Sequence, residues 1–363
     1  MRYFFSTGEA SGELSATLLA EEIAKRDRAA AFCGIGAQRM RDFGFELWAC
    51  NRGWSSITPF SVLPKVPGMF LALWRTTARL MRDQPDRIVL IDFGAFNLRL
   101  ATALRRRGYG GTLIYYFPPG AWFDKLEQAR IVAQTTAPVP AFRHQFEFYT
   151  GLGLNAHFFG HPLASRYQTR ALRPAPPSDG GTVALLPGSR AAELQQHVPL
   201  LLDSLRRLRR SRPSVKAYAV AADDRAEELL RRAIRTSDAI EIIRGTKAAL
   251  ENADAAWIAS GTAVLEAALL GVPAVAFYRM SGVAFRVARR SYRGRYFALP
   301  NLIAEREIVP EFLQEAAHPE ALVAAIDSIL NDPLPQYTAL RELRKDIGPS
   351  DALQRTADFV ASG

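Results

Sequence analysis

Cysteine and long apolar runs are both scarce in this chain. Only two of its 363 residues are cysteines, Cys33 and Cys50, too few for a disulfide framework or a thiolate metal site. No stretch approaches the roughly 18 to 20 consecutive apolar residues of a membrane-spanning helix. The opening segment, Met1 to Gly8, is too short for a signal peptide. These features predict a cytoplasmic location.

Several ligand-binding motifs are also missing. The Gly-Lys-Ser/Thr signature of a nucleoside-triphosphatase is absent, as are zinc-finger spacing, aromatic RNA-binding motifs and a long basic tail. We therefore predict no nucleic-acid partner and no cofactor. The histidines show no metal-ligand spacing, so we also predict no metal ion. His161, within Gly160-His161-Pro162, fits a hinge residue bonded to backbone better than a ligand contact. The five histidines are His144, His157, His161, His197 and His318.

Positive charge is abundant and comes almost entirely from arginine. The formal net charge is +10, with 40 arginines against 6 lysines. Such a surface attracts polyanions or anionic lipid. Without nucleic-acid motifs, a phosphate-bearing substrate or a membrane surface is the better explanation. With 48% hydrophobic content, a chain of this length can bury a large core and is expected to form two domains.

Short apolar runs alternate with helix-like segments along the whole sequence. This alternation predicts parallel sheets covered by helices on both faces. A proline- and glycine-rich stretch at residues 166–181 interrupts it and is interpreted as a linker. The expected fold is α/β, with two similar doubly wound halves and the ligand site in the cleft between them. The predicted strands are residues 2–5, 30–35, 87–92, 112–117, 183–186, 215–221, 239–243, 255–259 and 274–278.

A glycine-rich turn follows the first predicted strand. The sequence Gly8-Glu9-Ala10-Ser11-Gly12-Glu13 opens a helix. Its glycine spacing differs from Gly-x-Gly-x-x-Gly, and its two carboxylates would repel a pyrophosphate. Acidic groups beside glycine backbone suit sugar hydroxyls. Solvated carboxylates at a helix start are an equally good interpretation.

Asp92 ends the apolar run at residues 87–91. Open α/β sheets bind ligands at the carboxyl ends of their strands, so Asp92 is a candidate general base. The alternative is an aspartate that caps the helix beginning near residues 95–98.

Two turns in the second half have the character of phosphate sites. Leu186-Pro187-Gly188-Ser189-Arg190 passes from a strand into a helix, where free N–H groups, the helix dipole and the guanidinium favour an anion. Ser260-Gly261-Thr262 repeats the design, and Glu266 follows one turn later, where it could bind ribose hydroxyls. An ordinary turn or N-cap explains either alone. Two in the same half indicate a nucleotide diphosphate.

Two stretches combine apolar and arginine residues. Residues 54–74 are rich in apolar side chains, and their prolines disfavour a regular core helix. We expect this segment to enter a bilayer interface with arginines at lipid phosphates; a core helix is the alternative. Residues 285–296 interleave aromatic residues with arginine, which fits either a lipid-facing or a solvated surface. The prolines are Pro59, Pro64 and Pro67, and the arginines that follow are Arg75, Arg79 and Arg82.

Seven motifs occur in order over most of the chain. They are Gly8-Glu9-Ala10-Ser11-Gly12-Glu13, Ile91-Asp92-x-x-x-Phe96-Asn97, Gly160-His161-Pro162, Leu185-Leu186-Pro187-Gly188-Ser189-Arg190-x-x-Glu193, Ala259-Ser260-Gly261-Thr262-Ala263-x-Leu265-Glu266, Tyr278-Arg279 and Leu299-Pro300-Asn301-Leu302-Ile303. This ordered set resembles the lipid-A-disaccharide synthase family.

The resemblance implies a GT-B fold, with two Rossmann-like doubly wound domains facing a central cleft. It also implies an inverting glycosyltransferase that needs no metal ion. Such an enzyme joins UDP-2,3-diacylglucosamine to 2,3-diacylglucosamine 1-phosphate, forms the β-1,6-linked lipid A disaccharide and releases UDP. The expected partners are this donor, the lipid monosaccharide acceptor and an anionic membrane surface at the inner face of the inner membrane. Homo-oligomerisation is left open.

Site roles follow from the resemblance. Asp92 is the expected base for the acceptor 6-hydroxyl, and Glu9 is a second catalytic candidate, at the sugar-facing floor. The expected substrate-binding residues are Gly8, Ser11, Gly12 and Asn97 in the N-terminal half, Ser189 and Arg190 at the diphosphate, Ser260, Gly261, Thr262 and Glu266 at phosphate and ribose, and Arg279 and Asn301 on the donor side.

The expected domains are an acceptor and membrane-facing domain at residues 1–168 and a UDP-sugar-binding domain at 176–340. The tail after Pro335 is predicted to be helical through Val360, with residues 341–363 packing back on the first domain. Three departures from the family pattern fall in the N-terminal half. Residues 93–95 replace Ala-Pro-Asp, 117–124 replace a Trp-Ala-Trp-Arg segment, and 57–61 replace a Met-Gly…Glu element. Alternative functions are a different acceptor, a sugar-nucleotide epimerase, or a non-catalytic homologue that binds a nucleotide sugar or lipid.

Overall fold

Two compact units make up the chain. The computed structural model describes residues 1–51, 54, 66–119, 126–291 and 294–362. Unit 1 comprises Met1–Arg166 and Ile347–Gly363, and unit 2 comprises Tyr167–Asp346. No helix in the described ranges is long and apolar enough to cross a membrane.

Unit 1 is built on a parallel six-stranded sheet of order β3-β2-β1-β4-β5-β6. The central strands are almost continuously apolar because helices cover both faces of the sheet. The strands are β1 (Arg2–Ser6), β2 (Ala31–Gly36), β3 (Glu46–Cys50), β4 (Arg87–Ile91), β5 (Thr112–Tyr116) and β6 (Ala137–Val139). The helices are α1 (Ala10–Arg26), α2 (Gln38–Phe43), α3 (Val66–Asp83), α4 (Gly94–Arg106), α5 (Leu126–Thr135), α6 (Arg143–Gly151) and α7 (Pro162–Arg166).

Unit 2 repeats this topology. Its parallel sheet has the order β12-β11-β10-β7-β8-β9, so both sheets reverse their winding between the first and fourth strands of the unit. The strands are β7 (Thr182–Leu186), β8 (Lys216–Ala221), β9 (Ile240–Arg244), β10 (Ala255–Ala259), β11 (Ala274–Tyr278) and β12 (Glu311–Leu313). The helices are α8 (Ala191–Ser211), α9 (Asp224–Ala233), α10 (Thr246–Asn252), α11 (Thr262–Leu270), α12 (Gly282–Ser291), α13 (Leu299–Ala304), α14 (Pro319–Asn331) and α15 (Leu334–Ile347).

The C-terminal tail is two helices, so the prediction of one helix through Val360 was wrong. α15 ends at Ile347, and α16 (Ala352–Ser362) begins after a break. The residue that follows α15 is Gly348, whose φ of 117° lies in a region that glycine adopts readily and other residues rarely do. A Cβ there would also lie 2.5 Å from the Cα of Gly160. Beyond the break, α16 packs on α1 and adds Leu353, Ala357 and Val360 to the core of unit 1.

Residues 167–181 carry no regular secondary structure but are bonded within unit 2. The Arg170 N–H donates to the Leu270 carbonyl at 3.0 Å, and the Thr169 hydroxyl donates to the Leu269 carbonyl at 3.0 Å. The stretch predicted to be a linker therefore starts with residues anchored to the end of α11.

Candidate active site

The topological switch point of unit 1 brings two predicted turns together. β1 and β4 are neighbours, and the chain leaves each at the carboxyl edge of the sheet. The Gly8–Gly12 turn follows β1, and Asp92 follows β4. Ligands of open α/β sheets bind at this kind of crevice.

Asp92 and Phe93 hold a strained backbone at the end of β4. Their φ angles are 48° and 51°, in the left-handed region that non-glycine residues rarely occupy. The Asp92 N–H donates to the Tyr116 carbonyl at 3.0 Å. The Asp92 carbonyl accepts from Asn97 Nδ2 and from the Tyr115 hydroxyl, both at 2.9 Å. Three backbone-directed bonds thus fix the residue that carries the candidate base.

The capping interpretation of Asp92 does not match the geometry. The residue at the N-cap position of α4 is Phe93 and not Asp92, and the Phe93 side chain makes no capping hydrogen bond. The Asp92 side chain is partly accessible to solvent, but desolvation of its carboxylate by the protein around it raises its pKa to about 6. The Glu9 carboxylate adds to the rise, and the Phe93 N–H opposes it. A carboxylate with this pKa can accept a proton near neutral pH.

The Gly8–Gly12 turn combines one polar pair with tight packing. Glu9 immediately precedes α1, and the Ser11 hydroxyl donates to Glu9 Oε1 at 3.1 Å. Gly8 is buried, and a Cβ on it would lie 2.1 Å from the Phe93 ring. A Cβ added to Gly12 would lie 3.3 Å from Thr7 Cβ. The two glycines therefore serve close packing, whereas Glu9 and Ser11 are the polar groups of this turn.

Asn97 supports the site from beneath. It is fully buried, and its Oδ1 accepts from the Ser6 hydroxyl at 2.6 Å. Its Nδ2 faces the carbonyls of Ser6, Ile91 and Asp92 at 3.3, 3.1 and 2.9 Å. These hydrogen bonds join the ends of β1 and β4 through the Asn97 side chain.

The Glu193 carboxylate occupies the turn after β7. Ser189 and Arg190 are exposed, as a binding role requires. However, their N–H groups both donate to Glu193 Oε2 at 3.1 Å, and Arg190 Nη1 donates to Glu193 Oε1 at 2.7 Å. The sequence predicted free N–H groups at this helix start; those of Ser189 and Arg190 are bonded within the protein. The N–H groups of Ala191 and Ala192, the first two residues of α8, have no partner within the helix and can donate to a phosphate.

Glu193 belongs to one of the sequence motifs, but its contacts at this turn were not predicted. It is buried, and the Tyr278 hydroxyl also donates to its Oε1, at 2.7 Å. Burial opposes its ionisation, but the bonds from Tyr278 and Arg190 outweigh burial and lower its pKa. Gly188 makes room for it: its φ is 101°, and a Cβ there would lie 2.4 Å from Glu193 Oε2. Glu193 thus shapes the Gly188–Arg190 turn and ties it to the end of β11.

The turn after β10 lies beside the Gly188–Arg190 turn that follows β7, because β10 and β7 are adjacent and parallel. The Ser260 N–H donates to the Phe277 carbonyl at 2.8 Å, and its hydroxyl to the Phe297 carbonyl at 3.3 Å. Gly261 has open space around it, and Thr262 begins α11. Glu266 is half-buried and accepts from the Tyr167 hydroxyl. Gly261 and Thr262 present the unbonded end of this helix, where a phosphate would find N–H donors.

Arg279 and Asn301 differ in what they offer a ligand. Arg279 is half-buried at the end of β11, and its Nε donates to the Gln314 carbonyl at 3.3 Å. Asn301 is fully buried, and its Nδ2 donates to the Val309 carbonyl and to Glu311. Its Oδ1 accepts from the N–H groups of Ile308 and Val309. Arg279 can therefore contact a ligand, whereas Asn301 holds the segment that leads into β12.

His161 and the other histidines considered as metal ligands lie within the described ranges. His161 is buried, its Nδ1 accepts from the Leu163 N–H at 3.2 Å, and burial lowers its pKa to about 3. It is bonded to backbone, as predicted. No group of three or more histidine, cysteine, aspartate or glutamate residues suited to a metal occurs in the described ranges. The family departures at 57–61 and 120–124, together with Pro59, Pro64, Tyr292 and Arg293, lie outside those ranges.

The two parallel six-stranded sheets with flanking helices define a GT-B fold, and solved structures of this fold match nearly the whole chain. MurG from Acinetobacter baumannii has a TM-score of 0.63 at 14% identity and covers 100% of this chain and 99% of its own. UDP-GlcNAc 2-epimerase from Neisseria meningitidis, bound to UDP-GlcNAc, has a TM-score of 0.64 at 9% identity and covers 100% of both chains. The predicted fold class is confirmed.

Sequence comparison gives the family. The family model described as lipid-A-disaccharide synthetase matches residues 3–347. Lipid-A-disaccharide synthase from Anaeromyxobacter dehalogenans strain 2CP-C is 33% identical over 97% of this chain and 95% of its own. The synthase from Pseudomonas aeruginosa strain UCBPP-PA14 is 31% identical over 95% of each. The chain belongs to the lipid-A-disaccharide synthase family, which makes it a glycosyltransferase that forms a lipid A disaccharide.

Proposed function

We propose that this enzyme transfers 2,3-diacylglucosamine from UDP to 2,3-diacylglucosamine 1-phosphate by a single displacement with inversion. Asp92 removes the proton from the acceptor 6-hydroxyl as that oxygen attacks the anomeric carbon. The bond from that carbon to the diphosphate breaks, and UDP leaves. The product is the β-1,6-linked disaccharide. Asp92 carries the proposal, because it combines a fixed strained backbone with a pKa of about 6 at the ligand edge of unit 1.

Unit 2 supplies the groups for the donor diphosphate. The starts of α8 and α11 follow neighbouring parallel strands, so both helix dipoles act at one edge of the sheet. The Ser189 hydroxyl and the guanidinium groups of Arg190 and Arg279 are the side chains we assign to the phosphates. Two arginines compensate the charge that develops on departing UDP. We therefore propose that the reaction needs no metal ion.

The test supplies both substrates to the full-length protein. With UDP-2,3-diacylglucosamine and 2,3-diacylglucosamine 1-phosphate, we expect equimolar disaccharide and UDP, undiminished by EDTA. A β-configured new linkage confirms inversion. Release of UDP without disaccharide would indicate another acceptor. Isomerised donor would indicate an epimerase, and UDP binding without turnover a non-catalytic homologue. Each of these three results contradicts the proposal.

The acid limb of activity is expected to depend on Glu9. Asp92 must be ionised to accept a proton, so kcat/KM should rise with pH through about 6 and fall below it. Because the Glu9 charge raises the pKa of Asp92, Glu9→Gln should move this limb to lower pH. pH profiles of kcat/KM measure the shift. Glu21→Gln is the matched control, because Glu21 is an exposed carboxylate on α1, the helix that Glu9 precedes. An unmoved limb in Glu9→Gln would contradict the coupling.

We also propose that α3 anchors the enzyme to the inner face of the inner membrane. Phe70, Leu71 and Trp74 are 59%, 46% and 60% exposed on this helix. Of the arginines that follow, Arg79 pairs with Glu46 and Asp83, and Arg82 pairs with Asp83. No ion pair in the described ranges involves Arg75, which is exposed one residue after Trp74. Apolar side chains beside a cation suit an anionic bilayer surface.

Removing the two aromatic side chains should weaken membrane binding. The double variant Phe70→Ser, Trp74→Ser is expected to lower partitioning onto phosphatidylglycerol-containing vesicles by about tenfold or more, since each ring contributes apolar area. Sedimentation with vesicles measures the loss. Leu334→Ser is the control, because Leu334 is 54% exposed in unit 2. If both variants partition onto the vesicles equally, α3 is not the membrane anchor.

A further inference from the structure

A buried histidine joins two of the ligand-edge turns of unit 2. His197 lies on α8 and is fully buried. Its Nδ1 is 2.8 Å from the Pro187 carbonyl oxygen, at the start of the Gly188–Arg190 turn. Its Nε2 accepts from the Arg279 N–H at 3.0 Å and lies 2.9 Å from the Arg279 carbonyl oxygen. A neutral ring with its proton on Nδ1 bonds both turns, and burial lowers the pKa of His197 in favour of that neutral form.

Arg279 is held from the other side by Gln314. Gln314 Oε1 accepts from the Met280 N–H at 2.8 Å, and its Nε2 donates to the Met280 carbonyl at 3.1 Å. The Gln314 carbonyl accepts from Arg279 Nε. The backbone of Arg279 is therefore fixed by His197, and its side chain is directed by Gln314. Glu193 and Tyr278 make the second link between the same two turns.

We propose that His197 is a positioning residue of the donor site, which sets Arg279 at a fixed distance from the Gly188–Arg190 turn. The inference rests on the proposed use of this edge for a UDP-sugar. His197 is sealed from solvent, so it acts through Arg279 and not on the ligand. A diphosphate that is bound by groups from both turns requires those groups to be held at a fixed distance and orientation. Loss of the link leaves the groups present but unaligned, which weakens donor binding more than it slows the chemical step.

Three variants of the full-length enzyme test this role. His197→Phe keeps the ring volume and removes both nitrogens. His197→Gln restores an oxygen able to accept from the Arg279 N–H. Gln336→Leu is the matched control: Gln336 is buried in the same unit and bonds the N–H and carbonyl of Ala274, at the opposite end of β11. Calorimetry with UDP, donor KM and kcat, and thermal unfolding are measured for each.

His197→Phe is expected to raise the Kd for UDP and the donor KM about tenfold, with kcat changed by about threefold or less. His197→Gln should recover part of the affinity. Gln336→Leu should lower the unfolding temperature while the Kd for UDP stays unchanged. If wild type binds UDP and His197→Phe binds it equally well, the inference alone fails. It also fails if affinity in His197→Phe falls no further than in Gln336→Leu. Wild type that does not bind UDP would overturn both the proposed function and this inference.

Discussion

Asp92→Asn is expected to lower kcat about a thousandfold or more while the Kd for UDP stays within about twofold, since general bases contribute roughly 10²–10⁴. Asparagine has the shape of aspartate but cannot take the proton. It also tolerates a left-handed backbone, so the φ of 48° and the bonds from Asn97 and Tyr115 can persist. Because the folded protein disfavours the ionised carboxylate, the variant should be somewhat more stable than wild type at neutral pH. Disaccharide formation under saturating substrates and UDP calorimetry measure the two effects.

A control for this variant lies on the same strand. Asp86 immediately precedes β4, and its Oδ2 accepts from the Arg2 N–H at 2.7 Å. Asp86→Asn changes the same charge at the opposite end of the strand and should leave kcat unchanged. Turnover of Asp92→Asn within tenfold of wild type would exclude Asp92 as the base.

Glu193→Ala is expected to have the second largest effect. The carboxylate accepts hydrogen bonds from two N–H groups of the turn, from the Arg190 guanidinium and from the Tyr278 hydroxyl. Its loss should therefore lower the free energy of unfolding by about 2–3 kcal/mol. The turn should also open and reduce UDP affinity by at least tenfold. The folded-state pKa of Glu193 is lowered, so its contribution is present above about pH 4.5 and disappears as pH falls further. Urea unfolding and UDP calorimetry at neutral pH measure both losses.

Glu227 provides the comparison for Glu193. It pairs with Arg231 and Arg244 on the surface of unit 2. Exposed pairs of this kind contribute about 0–1 kcal/mol, so Glu227→Ala should cost little and leave UDP binding intact. Comparable UDP affinities in the two variants would show that Glu193 does not shape the turn.

Much of the fold was accessible from the sequence because parallel strands buried on both faces are short apolar runs. The nine predicted strands all exist, with bounds shifted by a few residues. Among the described residues, the strands that were missed are β3, β6 and β12, which lie at sheet edges. Ala137–Val139 contains Pro138 in a three-residue strand, and Glu311–Leu313 begins with a charge. Edge strands pair on one side only and need fewer apolar residues, so the apolar sequence pattern that predicts a strand is weak in them.

The places of the candidate site residues at strand ends were accessible from the sequence, because strand ends and glycine turns have sequence signals. The contacts that hold these residues in place were not. Asn97 and Asn301 belong to motifs, yet only packing shows that both are buried and hydrogen-bonded to other groups of the protein. The role of His197 depends on bonds to residues 10 and 82 positions away in sequence. Such links arise where α8 crosses the ends of β7 and β11, and no local spacing encodes them.

The discontinuity of unit 1 has a consequence for how the protein is made. All six strands of its sheet are synthesised by residue 139, but Leu353, Ala357 and Val360 in its core belong to the last helix. The intervening residues of unit 2 must be translated first, which at roughly 5–20 residues per second takes on the order of ten to forty seconds. During that interval the ribosome carries a nearly finished sheet with part of its apolar face uncovered. Unit 2 is continuous and can close earlier, so the half encoded second is the one equipped to fold first.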